Sequence, residues 1–233
     1  MTTLSEIALA LFLTSNLVLA GASRLRSAVR FVAMQGVILG ALPVLMWDWP
    51  VDGCPGVRIW AVAAVNTLVK GVLLPVLLLY AVRKARTRRE VEPIVPFHLS
   101  QIIVFLMAVG AFVVGRLLRV HVSGASELAV PVALTTMGTG LLLICGRKKA
   151  ITQVLGFLVL ENGISVFGAA ILLEYGIVVE LGILLDVFAL VFILGIAVFQ
   201  ISRTFSSTDT DRLNHLGDTH LMHPHHHHDH VHA

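Results

Sequence analysis

Long apolar stretches alternate along this chain with short polar ones, and the apolar stretches keep close to one length. A bilayer hydrocarbon core takes about 20 residues of helix. Seven runs reach that length, at roughly 3–22, 28–47, 57–82, 98–118, 128–146, 150–173 and 177–201. The breaks between them carry turn chemistry: WDWPVDGCPG divides the second and third runs, and RKARTRREVEPIVP the third and fourth. The pattern predicts an all-α polytopic membrane protein of about seven transmembrane helices. The first run, beginning MTTLSEIALALFL, has no basic leading segment and reads as a retained helix.

Composition agrees with the pattern. Hydrophobic residues make up 57% of the chain and charged residues 13%, and the mean hydropathy is +0.88, well beyond an ordinary soluble domain. The net charge of +3 is better explained by topology than by nucleic acid, because the basic residues sit in short loops. Arg24, Arg26 and Arg30 follow the first run, Arg83, Lys84, Arg86, Arg88 and Arg89 the third, Arg147, Lys148 and Lys149 the fifth, and Arg203 and Arg212 the seventh. The alternate loops hold Arg58, Arg116 and Arg119. By the positive-inside rule the N-terminus is expected outside and the C-terminus in the cytoplasm. The chain divides into helices one to five (1–147), helices six and seven (148–203) and a polar tail (204–233). That tail ends HLMHPHHHHDHVHA. Clustered imidazoles such as His225, His226, His227 and His228 bind divalent transition ions, but the spacing is irregular and encodes no defined metal site.

Candidate chemistry lies inside the apolar runs. Lys70 falls near the middle of the third, Glu161 near the middle of the sixth and Asp186 about ten residues into the seventh, with Glu180 nearer the outer surface. Each such residue costs about 2.5–3.5 kcal/mol at the centre of a bilayer, so each is expected to face a protein or water-lined interior. A static ion pair is the plain alternative, with Lys70 bonded to Glu161 or to Asp186. Such pairs give little net stability, because desolvation offsets the Coulomb gain. A proton or ion path explains them better. Loss of hydration favours the neutral form of a carboxyl and of an amine alike, so the two at one depth can exchange a proton through water. Asn66, one turn from Lys70, Asn162, beside Glu161, and His98, near the start of helix four, are supporting polar groups. Asn16, Gln35 and Gln101 are other buried-run polar residues, a kind that more often makes interhelical hydrogen bonds. Pro75, five residues after Lys70, removes a helix hydrogen bond nearby.

The block QVLGFLVLENGISVFGAAIL followed by VVELGILLDVFALVFILGI resembles the hydrogenase-4 component E (HyfE) family of membrane subunits. The pattern is carried by Gly156, Glu161, Asn162 and Gly163, then Val179, Glu180, Leu181, Gly182 and Asp186. NTLVKGVLLPVLLLY, with Lys70 and Pro75, and RTFSSTDTDRLNHLGD also resemble that family, and the likeness extends to about Gly217. The last three helices are similar to the small subunit NuoK of respiratory complex I, except that here Glu161 directly precedes the asparagine.

The resemblance implies a membrane-arm subunit of a group 4 [NiFe] hydrogenase or formate hydrogenlyase complex, in a prokaryotic cytoplasmic membrane. It implies a proton-translocation path through Glu161, Asp186, Glu180 and Lys70, with antiporter-like membrane subunits and a peripheral hydrogenase arm as partners. The NiFe centre and iron–sulfur clusters would belong to those partners, since Cys54 and Cys145 are too few to ligate them. No catalytic activity is expected of this chain alone. A multisubunit cation/proton antiporter subunit and a purely structural membrane anchor are the alternatives.

Overall fold

The apolar stripes decide which helix faces meet. The computed structural model describes residues 3–45, 54, 56–84, 94–117, 127–171, 191–193 and 195. In chain order its elements are α1 (Thr3–Ala20), α2 (Leu25–Leu45), α3 (Val57–Asn66), a π-helical turn (Thr67–Leu73), α4 (Leu74–Lys84), α5 (Phe97–Leu117), α6 (Ala129–Gly146) and α7 (Ala150–Ile171). No strand occurs among the described residues. Six spans there are long and apolar enough to cross a membrane, with α3, the π turn and α4 sharing one of them, Ile59–Tyr80. These match the first six predicted runs to within a few residues. The seventh run is described only at 191–193 and 195, all helical, and the tail from 204 lies outside the described residues.

On α1 the buried positions are Ser5, Ala8, Leu9, Phe12, Ser15, Asn16, Leu19 and Ala20. That is the three-and-four spacing that sets one face of a helix toward a core. On α2 the same spacing runs through Leu25, Ala28, Val29, Val32, Gln35, Gly36, Leu39 and Gly40. The helices α1, α2, α6 and α7 form the centre, with α6 and α7 the closest pair. A side chain at Gly140 would overlap the Leu160 backbone, so only the missing side chain lets these two helices approach. The third span packs on α2, and α5 packs on α6 and α1. Both keep broad apolar outer faces, including Leu68, Val72 and Val76 on the one and Ile102, Phe105 and Val109 on the other.

One end of the bundle is fastened by Arg147. Its guanidinium is buried and donates to the Ala20 carbonyl at 2.9 Å and to the Val95 carbonyl at 3.1 Å. The Phe97 ring lies 4.8 Å from it, a cation–π distance. The end of α1, the approach to α5 and the α6–α7 turn therefore meet on one side chain. Burial holds this guanidinium below its usual range, while the two carbonyl dipoles offset part of the lost hydration. In the sequence Arg147 stands only as one of three adjacent basic residues, with Lys148 and Lys149.

Candidate functional site

Lys70 is buried (4% exposed) at mid-span, eleven residues after Ile59 and ten before Tyr80. Glu161 (2% exposed) is eleven residues after Ala150 on α7. Their side chains meet, Lys70 Nζ lying 2.8 Å from Glu161 Oε1. The same ammonium donates to Ser165 Oγ at 2.9 Å. Glu161 and Ser165 are four residues apart on α7, so one face of the helix presents both to a single donor. Of the two carboxylates expected as partners of Lys70, Glu161 is in contact with it; Asp186 lies outside the described residues.

The backbone beneath Lys70 is unusual. Between Thr67 and Leu73 the helix widens to the π form, and the Leu74 N–H reaches back five residues to the Val69 carbonyl. Pro75 brings no N–H to the next position, so the ladder changes register where one rung could not form anyway. Short π segments inside α-helices recur at functional sites. The extra residue alters the helical phase, so Lys70 does not occupy the face that a continuous α-helix from Asn66 would give it. On the other side α2 comes very close. A side chain at Gly36 would overlap the Lys70 carbonyl, so glycine alone permits this approach.

A second polar network is buried at a neighbouring position. Gln35, central on α2, donates through Nε2 to Ser15 Oγ at 2.7 Å and to Asn16 Oδ1 at 2.8 Å. Asn16 Nδ2 donates to Thr136 Oγ1 at 2.7 Å. These bonds tie α1, α2 and α6 together, the interhelical role expected of isolated membrane asparagines and glutamines. Thr136 can accept because its own hydroxyl proton goes to the Val132 carbonyl four residues back, at 2.7 Å.

Of the supporting groups, Asn162 is buried beside Glu161. Asn66 is half-buried immediately before the π turn. His98 is exposed in the first turn of α5 and is not brought to the pair. Glu180, Asp186 and the histidines at 225–228 lie outside the described residues. Ser165 was missed in the sequence, although its spacing from Glu161 is a usable signal. No group of three or more His, Cys, Asp or Glu converges among the described residues.

Across 197 residues the chain is 33% identical to the uncharacterized protein Rv0085 of Mycobacterium tuberculosis (strain ATCC 25618 / H37Rv), a match covering 83% of this chain and 87% of that protein. The chain belongs to the Rv0085 family. No family model matches it, and no solved structure does. That match covers enough of the chain to make the two proteins relatives over most of their length. It carries no activity with it, so the chemistry of the Lys70–Glu161 site has to stand on its geometry.

Proposed function

We propose that this chain is a membrane-arm subunit of a complex I-like, energy-converting hydrogenase, with Lys70 and Glu161 as stations of its proton path. The observation that carries the reading is the ion pair itself, buried at mid-span on a π turn. A lysine and a carboxylate at 2.8 Å can interconvert between a charged and a neutral pair by moving one proton from nitrogen to oxygen. In a low-dielectric interior the balance between those forms responds to any nearby change of charge. Redox steps in a peripheral arm would supply that change, and the NiFe and iron–sulfur centres would sit in partner subunits. Glu180 and Asp186 would continue the path on a seventh helix. The N-terminus would lie outside and the tail in the cytoplasm of a prokaryotic cell.

Support comes from the resemblance to hydrogenase-4 component E around Glu161 and Lys70, and from the cost of keeping two charges where apolar residues would pack at least as well. The deciding experiment compares the wild-type complex with Glu161→Gln. Assembly should persist, because glutamine retains an acceptor for the Lys70 ammonium. Proton-to-electron stoichiometry should fall. An unchanged stoichiometry in an intact complex rules out the role given to Glu161. Mass spectrometry of chains retained after mild-detergent purification tests the setting: hydrogenase-like and antiporter-like partners fit the proposal. Antiporter-like chains without a redox subunit point instead to a cation/proton antiporter.

A further inference from the structure

The exposed positions of α2 are Arg26, Arg30, Met34 and Val37. Their spacing of four, four and three sets them in one line along the helix. Two are cationic and two apolar, in that order. Arg30 stands five residues past Leu25, where α2 begins, about 7.5 Å along the axis. It is inside the span and not in the loop. The positive-inside rule accounts for basic loops, but it does not call for two arginines on the outward stripe of a span. Like charges four residues apart on a helix repel. Among the described residues no carboxylate relieves them: Glu161 is paired with Lys70, and Glu6, in the first turn of α1, and Glu127, just before α6, stand at the opposite end of the bundle.

Helical side chains lean toward the N-terminus of their helix. For α2 that is the end fastened by Arg147, since Leu25 and Ala28 share a buried cluster with Ile151 and Val154 at the start of α7. Both guanidiniums therefore reach from the span toward the membrane surface, with their carbon stems left among apolar groups. The first turn of α2 holds no acidic residue, so its positive dipole end adds to the same field. Deeper in the span the stripe turns apolar at Met34 and Val37. The Val37 side chain lies against Gly71, beside Lys70 in the π turn. A place for an anion at the surface, continued inward by apolar surface, is the outline of one lipid molecule.

We propose that Arg26 and Arg30 hold the phosphate of an anionic phospholipid from the leaflet at the Arg147 end, with an acyl chain laid along Met34 and Val37. The planar guanidinium fork matches phosphate oxygens, and the phosphate removes the repulsion between the two arginines. A zwitterionic headgroup suits the pair less, because it brings its own cation to the same place. Free phosphate offers the same oxygens but no chain to follow the stripe. The site needs nothing from the proton-path reading.

The test is native mass spectrometry of the full chain in a mild uncharged detergent, with phosphatidylglycerol and phosphatidylcholine of the same acyl chains added in equal amounts. The wild type should retain the anionic lipid about twentyfold better, from about fivefold per arginine. Arg26→Gln together with Arg30→Gln should bring the two lipids level. Arg116→Gln, which removes an exposed arginine in the last turn of α5 at the other end of the bundle, should leave the preference where it was. Equal retention by the wild type overturns the site and leaves the pair to a carboxylate of a neighbouring chain. An equal fall in Arg116→Gln overturns it as well, since any surface charge would then serve. Met34→Ser should weaken both lipids alike, because the chain and not the headgroup lies there; unchanged retention overturns the placement of the chain. Inorganic phosphate at millimolar concentration should not displace the lipid, and displacement would mark a free-anion site instead. If the double variant does not fold, Arg30→Gln alone takes its place. The preference should then fall about fivefold, and no fall overturns the site.

Discussion

The ammonium of Lys70 has given up hydration for contacts that include the Glu161 carboxylate and the Ser165 hydroxyl, and the trade is near balance. Desolvating two charges costs several kcal/mol each, and their attraction repays this only with good geometry. Removing one partner breaks the balance. Lys70→Met should lower stability by about 3–5 kcal/mol, since Glu161 loses its counter-charge. Lys70→Met combined with Glu161→Leu should recover most of that loss. Thermal unfolding of the four proteins in one detergent, analysed as a double-mutant cycle, measures the coupling. Additive losses would mean that the 2.8 Å contact carries no mutual energy. At this scale the sequence was half informative. It placed Lys70 and Glu161 at one depth, because depth follows from counting residues at a fixed rise. It left the choice between Glu161 and Asp186 open, because facing depends on helical phase. The π turn resets that phase within the very segment that holds Lys70.

Among elements, the six described spans were legible because a bilayer imposes both length and polarity, and loops with Pro, Gly and clustered Arg mark the ends. The π turn had only Pro75 as a clue, and a proline in a helix more often signals a simple kink. The close approach of α2 to the third span was not legible either, since Gly36 is one glycine among 19 and nothing local distinguishes it. Its importance appears only against the Lys70 carbonyl, an atom that cannot swing aside as a side chain could. Gly36→Val should therefore push the third span off α2 at a cost of about 1–3 kcal/mol or more. The expected result is a lower unfolding temperature together with impaired coupling. Gly110, where a side chain would meet nothing within 4 Å, provides the control: Gly110→Val should leave both unchanged. Equal effects at the two sites would count against a specific contact.

For the whole molecule, the four central helices enclose the polar groups, and the third span and α5 turn apolar faces outward. Sidedness can be read with the two native thiols. Cys54 and Cys145 are both exposed, the first before α3 and the second in the last turn of α6, at the end fastened by Arg147. In intact cells a membrane-impermeant maleimide should label Cys54, and should reach Cys145 only after the membrane is opened. The reverse order would invert the orientation expected from the basic loops.

The Arg147 fastening also bears on how the chain is made. Synthesis proceeds from the N-terminus, and the carbonyls that this guanidinium holds belong to Ala20 and Val95. Both wait, along with α1, α2 and the third span, until a residue more than halfway down the chain leaves the ribosome. A nascent chain that stops before α6 can insert its helices but lacks the guanidinium that holds those two carbonyls. The bundle therefore closes late, when Arg147 arrives, and α7 then brings Glu161 to a lysine that was inserted long before it.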